Sequence, residues 1–201
     1  MSGEQLETCG TVTLCNGRAV TIRAIRSDDA PRLQSLFARL SPASVFFRFF
    51  SPLRQLPDDL VAHLTDVDGQ ARMALAAIED HHGEEQIVAV ARYVTLSFGE
   101  PGWADFAIVV QDEYQGHGLG TILLKRLAAC ARANHLRAFI AMVRSENQRM
   151  LRFLRHSGFP IKTLEANCGE LKLAIDLGVA QEHIQGDENH GHSFERASVL
   201  L

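Results

Sequence analysis

No stretch of this 201-residue chain approaches the run of roughly 18 apolar residues that a membrane-crossing helix requires. The opening Met1-Ser2-Gly3-Glu4-Gln5 lacks the basic and apolar regions of an export signal, so a cytoplasmic protein with no membrane partner is expected. Cysteine is scarce. Its four residues, Cys9, Cys15, Cys130 and Cys168, show no Cys-x-x-Cys spacing, which argues against a disulfide framework or a zinc site. Free thiols, mostly buried, are expected. Excess positive charge is also missing: a net charge of −4 gives no general attraction for nucleic acid. No Gly-Lys-Ser/Thr ending is present, which excludes a P-loop. Nor do any glycines follow the G-x-G-x-x-G spacing of a dinucleotide fold.

What is there suits a globular protein. Hydrophobic residues make up 46% of the chain, and a chain of this length can bury about 70% of its unfolded surface. One domain over residues 1–178 is expected, beginning with a β-hairpin around Asn16-Gly17. Residues 179–201 lose apolar periodicity and read as a mobile tail. His183, His190 and His192 in that tail, like His81-His82, lack convincing metal-ligand spacing, so no metal is expected. Ser27-Asp28-Asp29 caps a helix with Pro31 in its first turn, Ser41-Pro42 opens a second, and residues 54–64 suggest a third. Strands are predicted over 73–78, 86–96 and 105–110, with a turn at 80–85. Helix, strand, helix and one further strand follow to about Leu177. That order predicts an α/β (α+β) fold, a mixed central sheet with helices on both faces.

The most informative run is Tyr114-Gln115-Gly116-His117-Gly118-Leu119-Gly120-Thr121. It joins an apolar strand, Phe106 to Val110, to a helical pattern from Leu119 to Ala133. Glycines let a backbone come close to a ligand. The first helical N–H groups have no internal partner and lie at the positive end of the helix dipole, where a pyrophosphate is a natural guest. A second run, Ser145 to Phe159, carries Asn147 and closes on Gly158-Phe159. Ser145 and Gln148 have capping-box spacing, which predicts a helix opening at Ser145.

The pattern Gln115-x-x-Gly118-x-Gly120, followed by a strand at 138–143 and then Asn147 opening a helix, resembles the two cofactor motifs of the GNAT superfamily of N-acetyltransferases. Residues 20–30 and 40–50 are similar to the N-terminal part of the bacterial Pat-type protein lysine acetyltransferase domains. The resemblance covers roughly Ala19 to Leu177. It implies acetyl-CoA as cosubstrate and no metal. It also implies that the backbone of Ile108, Val109 and Val110 aligns the pantetheine arm, with an amide at Val110 or its neighbour facing the developing oxyanion. Gln115, Gly116, His117, Gly118, Leu119, Gly120 and Thr121 would hold the pyrophosphate, and Asn147 would bond the pantetheine or order nearby backbone.

Acetyl transfer to an amine also needs a base, because an ammonium group is not a nucleophile. The position matching the Pat-type Glu base is Asp105, shorter by one methylene, about 1.5 Å of reach. Its other reading is a strand-entry carboxylate, with Glu100 as the reserve base. Where many relatives carry a Tyr general acid, this chain has Leu154, and Tyr114 does not take over that role. Phe46, Phe47, Phe49 and Phe50 read first as core and second as walls of an acceptor entry. Arg144, Arg149, Arg152 and Arg155 read as a solvated face that could also meet the adenosine phosphates of CoA.

Two functions follow. One is N-acetyl transfer from acetyl-CoA to a primary amine by direct attack in a ternary complex, with a protein lysine among the candidate acceptors. The other is a non-catalytic acyl-CoA sensor, which the Asp at 105 and the missing Tyr would suit. The sequence is silent on oligomeric state.

Overall fold

The computed structural model describes residues 9–97 and 100–178. The expected tail and its three histidines lie outside the described residues. β1 (Gly10–Thr13) and β2 (Ala19–Ala24) form the expected hairpin. Its loop is one residue longer than Asn16-Gly17 predicts. Leu14 N–H donates to Arg18 O at 2.8 Å and Gly17 N–H to Leu14 O at 2.9 Å, so Cys15, Asn16 and Gly17 all lie in the turn. Gly17 closes it at φ 84°, a conformation that disfavours a side chain.

A short 3-10 turn over Ser27–Asp29 leads into α1 (Ala30–Ala38). Asp29 fixes that start by accepting from Arg26 N–H at 2.9 Å while pairing with Arg23 at 2.6 Å. α2 (Pro42–Phe49) opens on Ser41, whose hydroxyl accepts from Ser44 N–H, and ends at Phe50 in a left-handed conformation. α3 (Asp58–Thr65) follows. β3 (Arg72–His81) and β4 (Glu84–Thr95) meet at His82-Gly83, a tighter turn than expected. Then come β5 (Trp103–Val110), α4 (Leu119–Ala133), β6 (Ala138–Arg144) and α5 (Gln148–Arg155).

Two expectations are corrected here. The single closing strand is a hairpin, β7 (Ile161–Asn167) and β8 (Glu170–Asp176), turning at Cys168-Gly169 with φ 46° and 82°. β7 is the last strand of the sheet and mostly exposed, so it carries little apolar signal. The second correction concerns cysteine. Cys130 is buried, but Cys9, Cys15 and Cys168 are exposed. Cys15 and Cys168 occupy hairpin turns, where the chain reverses outside the core.

The eight strands run in the order β1-β2-β3-β4-β5-β6-β8-β7. β5 and β6 pair in parallel, and the other described neighbours pair antiparallel. Strand alternation builds a core on each face. On one face Leu75, Ala91, Tyr93 and Phe139 pack with Leu119, Leu123, Leu127 and Leu154 of α4 and α5. On the other, Ala74, Ala76, Ile78 and Val90 pack with Leu33, Leu36, Val45, Phe49 and Leu64 of α1 to α3. Each fully buried leucine contributes about 1.5–3 kcal/mol. Helices thus cover both faces of a mixed sheet, the fold class expected.

Candidate active site

β5 and β6 pair only from Trp103–Ala138 to Asp105–Ile140, whereas β5 keeps its β4 partner to Val110. Beyond Asp105 the two parallel strands part, and a cavity of about 690 Å³ opens between them, a size suited to a small-molecule site. The ladder settles which amides face it. Gln111 N–H donates to Val88 O of β4, and Leu96 N–H, just past the end of β4, donates to Trp103 O of β5. By antiparallel alternation the odd-numbered residues of β5 bond β4, and Ile108 and Val110 turn their main chain toward the fork. Val109 is committed to β4 and lends its side chain to the cavity wall. The Val110 carbonyl accepts from the Gln115 side chain at 2.7 Å, which ties the glycine loop to the strand end.

The loop then enters α4 without a side-chain cap: Gly118 is the N-cap, and the first turn holds no acidic residue. Gly116 and Gly118 have φ of 82° and 87°, and a Cβ at either would meet nothing within 4 Å. The backbone demands glycine at both, and the space over them is open. Gly120 differs. A Cβ there would come within 3.3 Å of Phe153, so this glycine lets α5 approach α4. Leu119 is buried and offers only its N–H, and Thr121 lines the cavity. His117 lies 3.7 Å from Cys15 through Nδ1. An uncapped, positively polarised helix end with open space above it fits a pyrophosphate.

Asp105 lines the same cavity. Burial raises its pKa to about 6, opposed in part by the positive charge of Lys172. A carboxylate titrating there is ionised near neutral pH yet basic enough to take a proton.

The second motif is placed as expected but capped differently. Asn147, not Ser145, is the N-cap of α5, its side chain accepting from Met150 N–H at 3.0 Å. Ser145 N–H instead donates to Gly169 O, which keeps that residue with the sheet.

The profile of the acetyltransferase (GNAT) family matches residues 36–159. The chain belongs to that family. It is 34% identical over 138 residues to an acetyltransferase of Pseudomonas aeruginosa, an alignment spanning 69% of this chain and 73% of the relative. It is similar to the GNAT domain of S. lividans PAT, with 31% identity and a TM-score of 0.75 over 84% of this chain and 97% of that one. The fold also matches yncA of Salmonella typhimurium, solved with its cofactor acetyl-CoA, at 20% identity and a TM-score of 0.60 over 84% of this chain and 98% of that one. As a GNAT family member the protein is an acetyltransferase that uses acetyl-CoA.

In this GNAT fold the remaining expected residues divide. Leu154 is 1% exposed in the core, so no hydroxyl reaches the cavity from that position. Glu100 is exposed in its loop. Tyr114 is buried and donates its hydroxyl to Glu79, with Arg18 stacked 4.7 Å over its ring. Burial, then that hydrogen bond, keep the phenol protonated well above its ordinary range. Of the aromatic run, Phe49 is core, while Phe47 and Phe50 line the cavity. Asp112 holds α2 against this wall by accepting from Ser41 N–H, Ser41 Oγ and Ser44 Oγ at 3.0, 2.8 and 2.9 Å. Arg149 donates to Gln115, Arg152 reaches the cavity rim, and Arg144 pairs with Glu146 and Glu170. Sequence reasoning missed Arg48, Arg92 and Phe153 among the cavity residues. Arg92 had a signal, a lone charge at the centre of an apolar strand pattern.

Proposed function

We propose that this protein transfers the acetyl group of acetyl-CoA to a primary amine by direct attack in a ternary complex, with a lysine side chain as candidate acceptor. The observation that carries this reading is the fork itself: Asp105 stands at its root, the Ile108 and Val110 main chain along one arm, and the uncapped Gly118 helix end at its mouth. The 31% identity to the GNAT domain of S. lividans PAT agrees with the Pat-type resemblance of residues 20–30 and 40–50, and it is that resemblance which suggests lysine as the acceptor class.

In this reading the amides at Gly116 to Thr121 take the pyrophosphate, with Arg149 and Arg152 adding positive charge beside them. Ile108 and Val110 bond the pantetheine arm as an added strand would, and Asn147 caps α5 while lining the arm's path. The acceptor enters past Phe47 and Phe50. Asp105 takes a proton from its ammonium group, directly or through a water. The amine nitrogen then bonds to the acetyl carbonyl carbon, with the Val110 amide near the charge that develops on oxygen. The nitrogen gives up its second proton to solvent as the carbon–sulfur bond breaks, and solvent protonates the departing thiolate. None of the cysteines lines the cavity, which favours direct attack over an acetylated enzyme.

The test is CoA release from acetyl-CoA with amine and lysine-peptide acceptors, repeated with Asp105→Asn. Turnover that falls roughly 100-fold or more in the variant is expected of a lost general base. Tight acetyl-CoA binding without turnover on any acceptor would overturn the enzymatic reading in favour of a sensor.

A further inference from the structure

Among the described residues, the buried side-chain polar atoms without a hydrogen-bond partner all belong to one group: Nε and both terminal nitrogens of Arg92. The residue is 3% exposed. It stands on β4 between Tyr93 and Ala91, opposite Ala107, while Val94 stands opposite Asp105. Arg92 and Asp105 therefore share one face of the sheet as diagonal neighbours, roughly 7–8 Å apart along the backbone. Both line the acetyl-transfer cavity, as does Arg48 of α2.

Arg48 deepens the anomaly. Its guanidinium lies 4.9 Å over the Phe49 ring. Burial, then the like charge of Arg92, lowers its pKa to about 9. Burial, then the like charge of Arg72, lowers Arg92 to about 10. Among the described residues neither guanidinium is ion-paired or hydrogen-bonded to a carboxylate. The two arginines also line a small apolar pocket of about 30 Å³ with Leu36, Phe37 and Val90, which offers them no polar side-chain partner. A charge buried without a partner, as on Arg92, is costly, and the like charge of half-buried Arg48 near it adds to that cost. Core packing explains neither guanidinium, since a Met or Leu would fill the same space without that cost.

We propose that the acceptor amine carries a carboxylate, which Arg92 and Arg48 bind together while the amine is held at Asp105. This rests on the reading of the cavity as an acetyltransferase site. A guanidinium meets a carboxylate through two parallel hydrogen bonds, and a second guanidinium can take the oxygens' remaining lone pairs. The bound carboxylate offsets one of the two guanidinium charges, while ionised Asp105 faces the acceptor's ammonium group. The spacing of Arg92 and Asp105 suits an amine and a carboxylate at the two ends of a short chain. That chemistry is met by a free amino acid, or by a protein lysine with an acidic neighbour.

The test uses the full chain and matched acceptors. CoA release is compared for 6-aminohexanoate against hexylamine, for L-lysine against cadaverine, and for lysine peptides with acidic against neutral flanks. The expected result is a kcat/KM preference of about 10- to 100-fold for the carboxylate partner of at least one pair. That preference should collapse toward unity in Arg92→Met and survive in part in Arg92→Lys. Preference confined to the small molecules identifies a free amino acid, and preference confined to the peptides identifies a protein. Should Arg92→Met not fold, Arg48→Met reads the same ratio. Calorimetric titration of the CoA-loaded protein with 6-aminohexanoate and with hexylamine separates this proposal from the enzymatic one. Carboxylate-dependent binding without turnover would keep the anion site and remove the function. Turnover without preference, or a preference unchanged in both Met variants, would overturn the anion site and leave the function standing.

Discussion

Asp105 stands opposite Ile140 at the last rung that β5 and β6 share. Past that pair the strands separate, so the carboxylate sits where a parallel ladder ends and a cavity begins. It is covered enough for burial to raise its pKa to about 6, and open enough for an acceptor to reach it.

Acting as the base proposed above, Asp105 would give the reaction an acidic limb. The rate kcat/KM is expected to climb with pH up to about 6 and then level off, until the acceptor's own titration takes over. Asp105→Asn should lose both the limb and roughly 100- to 10,000-fold in rate. A wild-type profile flat through pH 5–7 would remove Asp105 as the base.

The same carboxylate costs stability. Its folded pKa, about 6, lies above the ordinary aspartate value of 3.8. Below both values each state binds the proton and nothing is gained or lost. As pH rises past the unfolded value the unfolded state releases its proton first, and folding weakens until the folded group ionises as well. Asp105→Asn is therefore expected to stabilise the fold by about 1–3 kcal/mol at pH 8 and by little at pH 3, read from urea unfolding.

Gly118→Ala forces a side chain into φ 87°. It should cost about 1–2 kcal/mol of stability and weaken acetyl-CoA binding by calorimetry. Gly120→Ala acts differently, through the 3.3 Å approach of its Cβ to Phe153. Pairing it with Phe153→Leu should restore much of the lost stability, whereas that partner change should do nothing for Gly118→Ala.

Asn147 serves α5 through its side-chain oxygen and the cavity through its position. Asn147→Ala is expected to lose about 1 kcal/mol with the cap. Asn147→Asp keeps the acceptor oxygen and removes the NH₂ donor. Retained thermal stability with weakened acetyl-CoA affinity in Asn147→Asp would assign the amide group to the ligand.

Asp112 clasps α2 to the end of β5 through Ser41 and Ser44. Burial works against its charge, but the Ser41 and Ser44 hydrogen bonds outweigh that and hold its pKa below the ordinary aspartate range. A depressed carboxylate stabilises the fold above its unfolded pKa and loses that contribution as pH falls through the folded one. Asp112→Ala should cost about 1–3 kcal/mol at pH 7, with the gap to wild type closing as the medium is acidified below pH about 4.

Much of the site was legible because its chemistry is local. Gly116 and Gly118 announce left-handed backbone, and Gln115 precedes them at the spacing that returns its side chain to Val110. Other features were illegible because distant strands decide them. Ser145 has the spacing of a helix cap, yet its N–H is taken by Gly169 across the sheet, and the helix starts later at Asn147. β7 lies at an edge where few side chains are buried, so its pairing with β8 left no periodic trace. The acidity of Asp105 depends on how much of it the far side of the fork covers, and no neighbouring residue reports that.

By itself the chain determined its helices, most of its strands and its glycine-rich turn before α4, since backbone preferences and apolar spacing act over a few residues. Tertiary structure alone decided that β5 and β6 part after Asp105, that the main chain of Ile108 and Val110 rather than of Val109 faces the opening, and that Arg48 and Arg92 line one cavity beside it. Those outcomes depend on desolvation and strand pairing between segments far apart in sequence, and each comes into being only when the sheet closes.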